Sequence, residues 1–174
     1  MMTTIPQSVS MMPQLTAMKR ASMRGAVAVE FALLLIPLLT LVFGVTEYGR
    51  ALFQYNTLAK TVRDSARFLS VENPSDASYP LAQAKCLTVY GNTACTGAPL
   101  VSGLTTAMVK VCDPVDASDC PGENFAAVAT GFGSINLVEV KIVGYPFTSL
   151  SLPFVPGLDS IVFGPIHTTM RQVL

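Results

Sequence analysis

The sequence predicts an α+β chain in which one long N-terminal helix crosses a membrane and continues into a small exported domain with a short antiparallel sheet. Three observations predict it. The 22 residues between Arg24 and Glu47 hold a single charge, Glu30. A helical apolar period resumes directly after them, and segments that alternate apolar and polar residues are confined to positions 107–170. Apolar residues make up 51% of the chain and charged ones 13%, against about 25% charged in ordinary soluble domains. Net charge is zero, with a single histidine and no tryptophan, so no basic surface points to nucleic acid and no acidic tail points to a solvated disordered region. At 174 residues the chain has room for one core and an added segment.

Residues 1–25 are polar, rich in Met, Ser and Thr, and interrupted by Pro6 and Pro13. They have no apolar period and read as a leader, with Met11, Met12, Met18 and Met23 as alternative starts. Residues 26–46 read as the transmembrane helix, since a rise of about 1.5 Å per residue covers the roughly 30 Å hydrocarbon core. Lys19, Arg20 and Arg24, with no acid in the first 25 residues, predict a cytoplasmic N-terminus and everything after Thr46 outside. A cleavable secretory signal fits less well, because its apolar region spans about 7 to 15 residues and ends at a small-residue site. Here "VFGVTEYGRA" places two charges and a tyrosine where such a site would stand.

Residues 47–73 continue the helix. Tyr48, Leu52, Tyr55, Ala59, Val62, Ala66 and Leu69 recur at spacings of four and three and predict one buried face. Arg50, Gln54, Lys60, Asp64 and Arg67 fall on the other faces, with Lys60–Asp64 and Asp64–Arg67 spaced for ion pairs. Asn73 and Pro74 predict the end. Counted from Ala26, this is one helix of roughly 45 residues and about 65 to 70 Å, with a bend expected at Pro37.

Residues 74–174 read as the exported α+β domain. "YPLAQAKCLTVYG" predicts a short helix ending at Gly91, "AMVKV" (107–111) and "LVEVKIVGY" (137–145) predict strands, and "SIVFGPIHTTM" (160–170) a third, broken at Gly164 and Pro165. In the second, Val138, Val140 and Ile142 share one face, with Glu139 and Lys141 on the other. Cys86, Cys95, Cys112 and Cys120 all lie in this part, and an even count in an exported domain favours disulfides. Three pairings are open. The short separations put Cys86 with Cys95 and Cys112 with Cys120 first, and the alternative, a zinc site, lacks any C-x-x-C pair.

Chemistry finds little support in the pattern. There is no nucleophile elbow, no phosphate loop with its lysine, and no histidine pair at metal spacing; His167 stands alone, and "GFGS" (131–134) reads as a turn. The chain is therefore expected not to be an enzyme and to need no cofactor, although a catalytic triad scattered along a membrane-anchored hydrolase would leave no local pattern. Asp113, Asp116, Asp119 and Glu123 gather in one loop and could offer hard oxygen ligands to calcium, but their spacing is not that of an EF-hand, and a solvated loop explains them as well.

Glu30 is the outstanding residue. An ionised carboxylate in hydrocarbon costs several kcal/mol unless paired. Were the chain cut between Gly25 and Ala26, the new α-amino group of a neighbouring subunit could pair with Glu30 and set the axial register of packed helices. The alternative is that Glu30 snorkels to the interface.

The string of basic residues, Gly25, "AVAVEF" with Glu30 fifth after the glycine, and an uninterrupted apolar helix resembles the class III signal of type IV pilins and pseudopilins. More narrowly, "RGAVAVEFALLLIPLLTLVFGVTEYGRALFQYNTLAKTVRDSARF" resembles the TadE-like pseudopilins of the tight adherence (Tad, Flp) pilus system. The resemblance covers about a quarter of the chain. It implies cleavage after Gly25 by a prepilin peptidase, an aspartic protease of the inner membrane, with Ala26 as the first mature residue, Glu30 as the register-setting acid and Phe31 as the aromatic that often follows it. Major Flp pilins usually carry Tyr there and are much shorter, so Phe31 and the large exported domain imply a minor pilin or pseudopilin used in assembly, priming or tip formation for adhesion.

The implied partners are the prepilin peptidase, other Tad/Flp pilins, the inner-membrane pilus platform proteins and the membrane itself. The implied location is a single pass through the inner (cytoplasmic) membrane with the C-terminal domain periplasmic, or the assembled surface pilus. The alternative is an uncleaved signal-anchor protein whose exported domain binds a partner or ligand, which would keep Lys19 and Arg20.

Overall fold

The computed structural model describes residues 15–150 and 162–173, with side chains in the first helix from Gly25 onward. The leader reading at residues 1–14 and the start of the 160–170 strand lie outside the described residues. The fold is α+β: α1 (Leu15–Ser70), α2 (Leu81–Tyr90), then β1 (Val109–Cys112), β2 (Val128–Thr130), β3 (Gly133–Ile142) and β4 (Ile166–Gln172). The chain divides into two compact units, Met1–Phe43 and Gly44–Leu174.

α1 starts earlier than the apolar pattern alone indicates. Leu15 to Arg24 lack an apolar period, but they contain no Pro or Gly and are rich in Ala, Met, Lys and Arg, which favour helix intrinsically. The helix ends at Ser70, three residues before Asn73, where Glu72 N–H donates to Leu69 O at 3.1 Å. Pro37 lies inside the helical span.

In the Gly44–Leu174 unit, β3 is the central strand. β1 and β4 flank its C-terminal half, both antiparallel, in registers that include Val111↔Val140 and Thr168↔Val140. β2 pairs with its first residues through a hairpin that turns at Gly131 and Phe132, so "GFGS" is half turn and half the start of β3. The β2 segment, "VAT", is too short to announce itself by alternation.

The core joins Leu58, Val62, Ala66 and Leu69 of α1 to Val89 of α2 and to Val109, Val138, Val140 and Ile142 of the sheet, nearly all fully buried. A buried aliphatic of this kind contributes about 1.5 to 3 kcal/mol. α1 and α2 meet where side chains are small: Ser65 Oγ donates to Ala84 O at 2.9 Å and lies 2.7 Å from Thr88 Oγ1. α2 stops at Gly91, which takes a left-handed φ of 73° as the predicted end of that helix. β4 is tied to the end of α1 by Val173 N–H donating to Ser70 O at 2.9 Å.

Three expectations are corrected. The buried face of α1 departs in its first half from the one the spacing predicted: Val62, Ala66 and Leu69 are buried, but Tyr48 is 67% exposed and Leu52 and Tyr55 are nearly half exposed, while Glu47 and Leu58 are buried. The face turned inward between 47 and 54 is polar because its side chains hydrogen-bond the 145–150 segment, an interaction that an apolar period cannot register. Neither Lys60–Asp64 nor Asp64–Arg67 forms an ion pair; the ion pairs among the described residues are Arg50–Glu47 and Lys110–Asp119, and exposed pairs gain too little to overcome side-chain entropy. Glu139, placed by alternation on a solvent face, is buried, because the loop after β1 folds a second small core of Cys112, Cys120 and Phe125 onto that side. Its Oε2 accepts from Thr169 Oγ1 at 3.0 Å.

Candidate processing and assembly segment

Between Gly25 and Phe43 the helix shows apolar side chains on every face. Val29, Phe31, Leu34, Ile36 and Leu41 are all more than 60% exposed within the chain. A helix apolar all round belongs in the interior of a protein or in lipid. Among the described residues, Gly25–Ser70 is the one helix long and apolar enough to cross a membrane, and its most apolar window, with a mean hydropathy of 2.5, is not buried at all by the chain itself. Thr40, a hydroxyl in this stretch, donates to Ile36 O at 3.0 Å, the local bond that makes a hydroxyl tolerable in hydrocarbon.

Gly25 sits within α1, and a Cβ built there meets nothing within 4 Å. Its backbone does not need glycine, and a mid-helix glycine costs about 0.5 to 1 kcal/mol relative to alanine. The fold supplies no reason for Gly25. Ala26, Glu30 and Phe31 are exposed on the following turns, and Ala26 and Glu30, at i and i+4, share one side of the helix. No hydrogen bond or ion pair to Glu30 occurs among the described residues.

Glu47 contrasts with Glu30. It is 4% exposed, and its Oε2 accepts from Arg50 Nη2 at 2.9 Å and from Arg50 Nε at 3.2 Å. Its Oε1 accepts from Leu150 N–H at 3.1 Å. Arg50 also donates to Thr148 O and lies 4.5 Å above the centre of the Phe147 ring, so one cation is held by a carboxylate, a carbonyl and a π face. Phe163 packs against Tyr55, Tyr145 and Phe147 at centroid distances of 5.9, 5.8 and 5.8 Å. Tyr145 donates to Ser102 O at 2.8 Å, and burial raises its phenol pKa despite the nearby Arg50. The i, i+3 spacing of Glu47 and Arg50 was the one signal in the sequence, and nothing local marked their buried partners.

All four cysteines are in disulfides, Cys86–Cys95 and Cys112–Cys120, the short-separation pairs. No thiolate is left for zinc. Lys141 Nζ lies 3.0 Å from Cys120 Sγ.

The acidic loop spends its carboxylates locally. Asp113 Oδ1 accepts from Val115 and Asp116 N–H at 2.8 and 2.9 Å, Asp116 Oδ1 from Ser118 N–H at 3.0 Å, and Asp119 pairs with Lys110 at 3.3 Å. The Ser118 bonds hold the Asp116 carboxyl below its ordinary pKa. Asp113, Asp116, Asp119 and Glu123 do not converge; Glu123 instead approaches Glu139 beside Cys120, whose sulfur is already in a disulfide. His167 is exposed on β4 opposite Lys141.

No curated protein and no solved structure matches the chain. Residues 25–67 match the family model described as TadE-like protein, a stretch that opens on Gly25 and takes in Glu30, Phe31, Glu47 and Arg50. Over these residues the N-terminal helical segment is thus similar to that of TadE-like proteins.

Proposed function

We propose that this chain is a minor pilin or pseudopilin of a Tad/Flp pilus, made as a precursor, cut after Gly25 by a prepilin peptidase and then used in assembly, priming or tip formation. The reading makes residues 1–25 the leader, 26–46 the membrane segment, 47–73 its continuation and 74–174 the periplasmic domain, in a protein that is not an enzyme. The observation that carries it is the family match, which starts at Gly25. Further support is that Gly25 has no role in the fold, as expected of a residue read by another protein.

Hydrolysis of the Gly25–Ala26 bond adds water across the amide, leaving a carboxylate on Gly25 and an α-amine on Ala26. With an ordinary pKa near 8 that amine is mostly cationic at neutral pH. Glu30 has no partner among the described residues, and a carboxylate in a low dielectric demands one. The amine of an adjacent subunit meets that demand and fixes the helices in axial register, the pairing outweighing desolvation only where geometry is good. Release of the leader also removes Lys19, Arg20 and Arg24, the charges that hold the N-terminus in the cytoplasm.

The test is mass spectrometry of the membrane-derived chain beside a Gly25→Val variant. A native chain beginning at Ala26, with the variant left as full-length precursor, is the expected result. A native chain that keeps Lys19 and Arg20 overturns the reading in favour of an uncleaved signal anchor. A start near Tyr48 overturns it in favour of ordinary signal cleavage.

A further inference from the structure

The segment Tyr145–Leu150 descends α1 step by step. Tyr145 Oη lies 3.4 Å from Gln54 Oε1, Phe147 lies under Arg50, Thr148 O accepts from Arg50, and Leu150 N–H donates to Glu47 Oε1. From Gln54 to Glu47 the helix rises about 10 Å, and the segment runs that distance towards the apolar stretch, which ends at Thr46. Helical side chains lean towards the N-terminus of their helix, so the Leu150 amide, held by the Glu47 carboxylate, is level with or beyond Glu47 on the side of the apolar stretch.

Leu150 is 78% exposed, although Phe147 and Ser149 beside it are buried. On the same stretch of α1, Val45 and Tyr48 are also more than 60% exposed. Apolar and aromatic side chains gathered at the end of a spanning helix are what the headgroup boundary of a bilayer accommodates, and chain continuity brings that boundary close to the end of the apolar stretch at Thr46.

We propose that Leu150, with Val45 and Tyr48, forms a lipid-contacting rim held in place by the Glu47–Arg50 clamp. The occupant of this rim is phospholipid. The clamp explains why a buried ion pair is kept at this level of the helix: it satisfies the Leu150 amide, which would otherwise enter the interface without a partner. This inference rests on the reading of α1 as membrane-spanning.

The experiment uses the full chain in phosphatidylethanolamine and phosphatidylglycerol vesicles, with a fluorophore on a single introduced thiol, all native cysteines being paired. Labels at Leu150→Cys, Ile36→Cys and Phe132→Cys are compared in lipids brominated high or low on the acyl chain. Phe132, at the β2–β3 turn, is fully exposed and has no tie to the helix. The expected result is several-fold stronger quenching at 150 than at 132 by high-placed bromines, with 36 quenched by low-placed ones. Quenching at 36 with 150 no different from 132 overturns the rim and leaves the spanning helix standing; so does a 150 label shielded by another protein chain. Absence of quenching at 36 overturns the spanning helix, and the rim with it.

Discussion

Glu30 and Glu47 are two carboxylates on one helix, and they are handled in opposite ways. Glu47 is covered by its own chain, which supplies Arg50 and the Leu150 amide within hydrogen-bond distance. Glu30 is exposed on a turn of apolar side chains, with no such partner among the described residues. The difference separates the helix into a part whose chemistry is completed by folding and a part to which folding supplies no partner among the described residues. The glycines tell a similar story: Gly91 serves a left-handed helix end beside Leu100, whereas Gly25 serves nothing in the fold.

The contrast can be broken most forcefully by cavity mutations on the two parts. Leu58 is fully buried and Leu34 is 72% exposed. Leu58→Ala is expected to cost about 3 kcal/mol of stability in the folded unit, and Leu34→Ala to leave denaturant unfolding of that unit unchanged in detergent. Equal losses would show that the apolar stretch belongs to the same core.

A smaller effect is expected at the clamp. Removing one partner of a fully buried pair costs about 3 to 5 kcal/mol, but the Arg50 side chain retains 26% exposure and water screens part of the pair. Arg50→Met, which keeps an apolar stem over Phe147, is therefore expected to lower stability by about 1 to 2 kcal/mol, read from the same denaturant midpoint. No change would mean that Glu47 is satisfied without its cation.

The sequence made the helix and the central strand legible because both are written in apolar periods: lipid demands an unbroken run, and Val138, Val140 and Ile142 alternate cleanly. Gly91 marked the end of α2 through its own backbone freedom. The inward face between Glu47 and Gln54 was not legible, since its burial depends on hydrogen bonds to residues nearly a hundred positions away, and a buried polar residue looks in sequence like a solvated one. Glu139 misled for the same reason: its strand face is covered by a loop that the Cys112–Cys120 bridge closes. Gly25 and Glu30 stand out in the sequence because they are out of place, a glycine the helix does not need and an acid in an apolar run.

The most direct test of a Glu30 completed from outside is Glu30→Gln, with site-specific crosslinking from Val27 or Phe31 to partner pilins compared with the unmutated chain. Gln keeps the size and removes the charge. The expected result is unchanged stability of the folded unit and near-normal removal of the leader, together with a marked loss of crosslinks and of incorporation. Unchanged crosslinking with normal piliation would contradict it, and would return Glu30 to the role of an acid that merely snorkels to the interface.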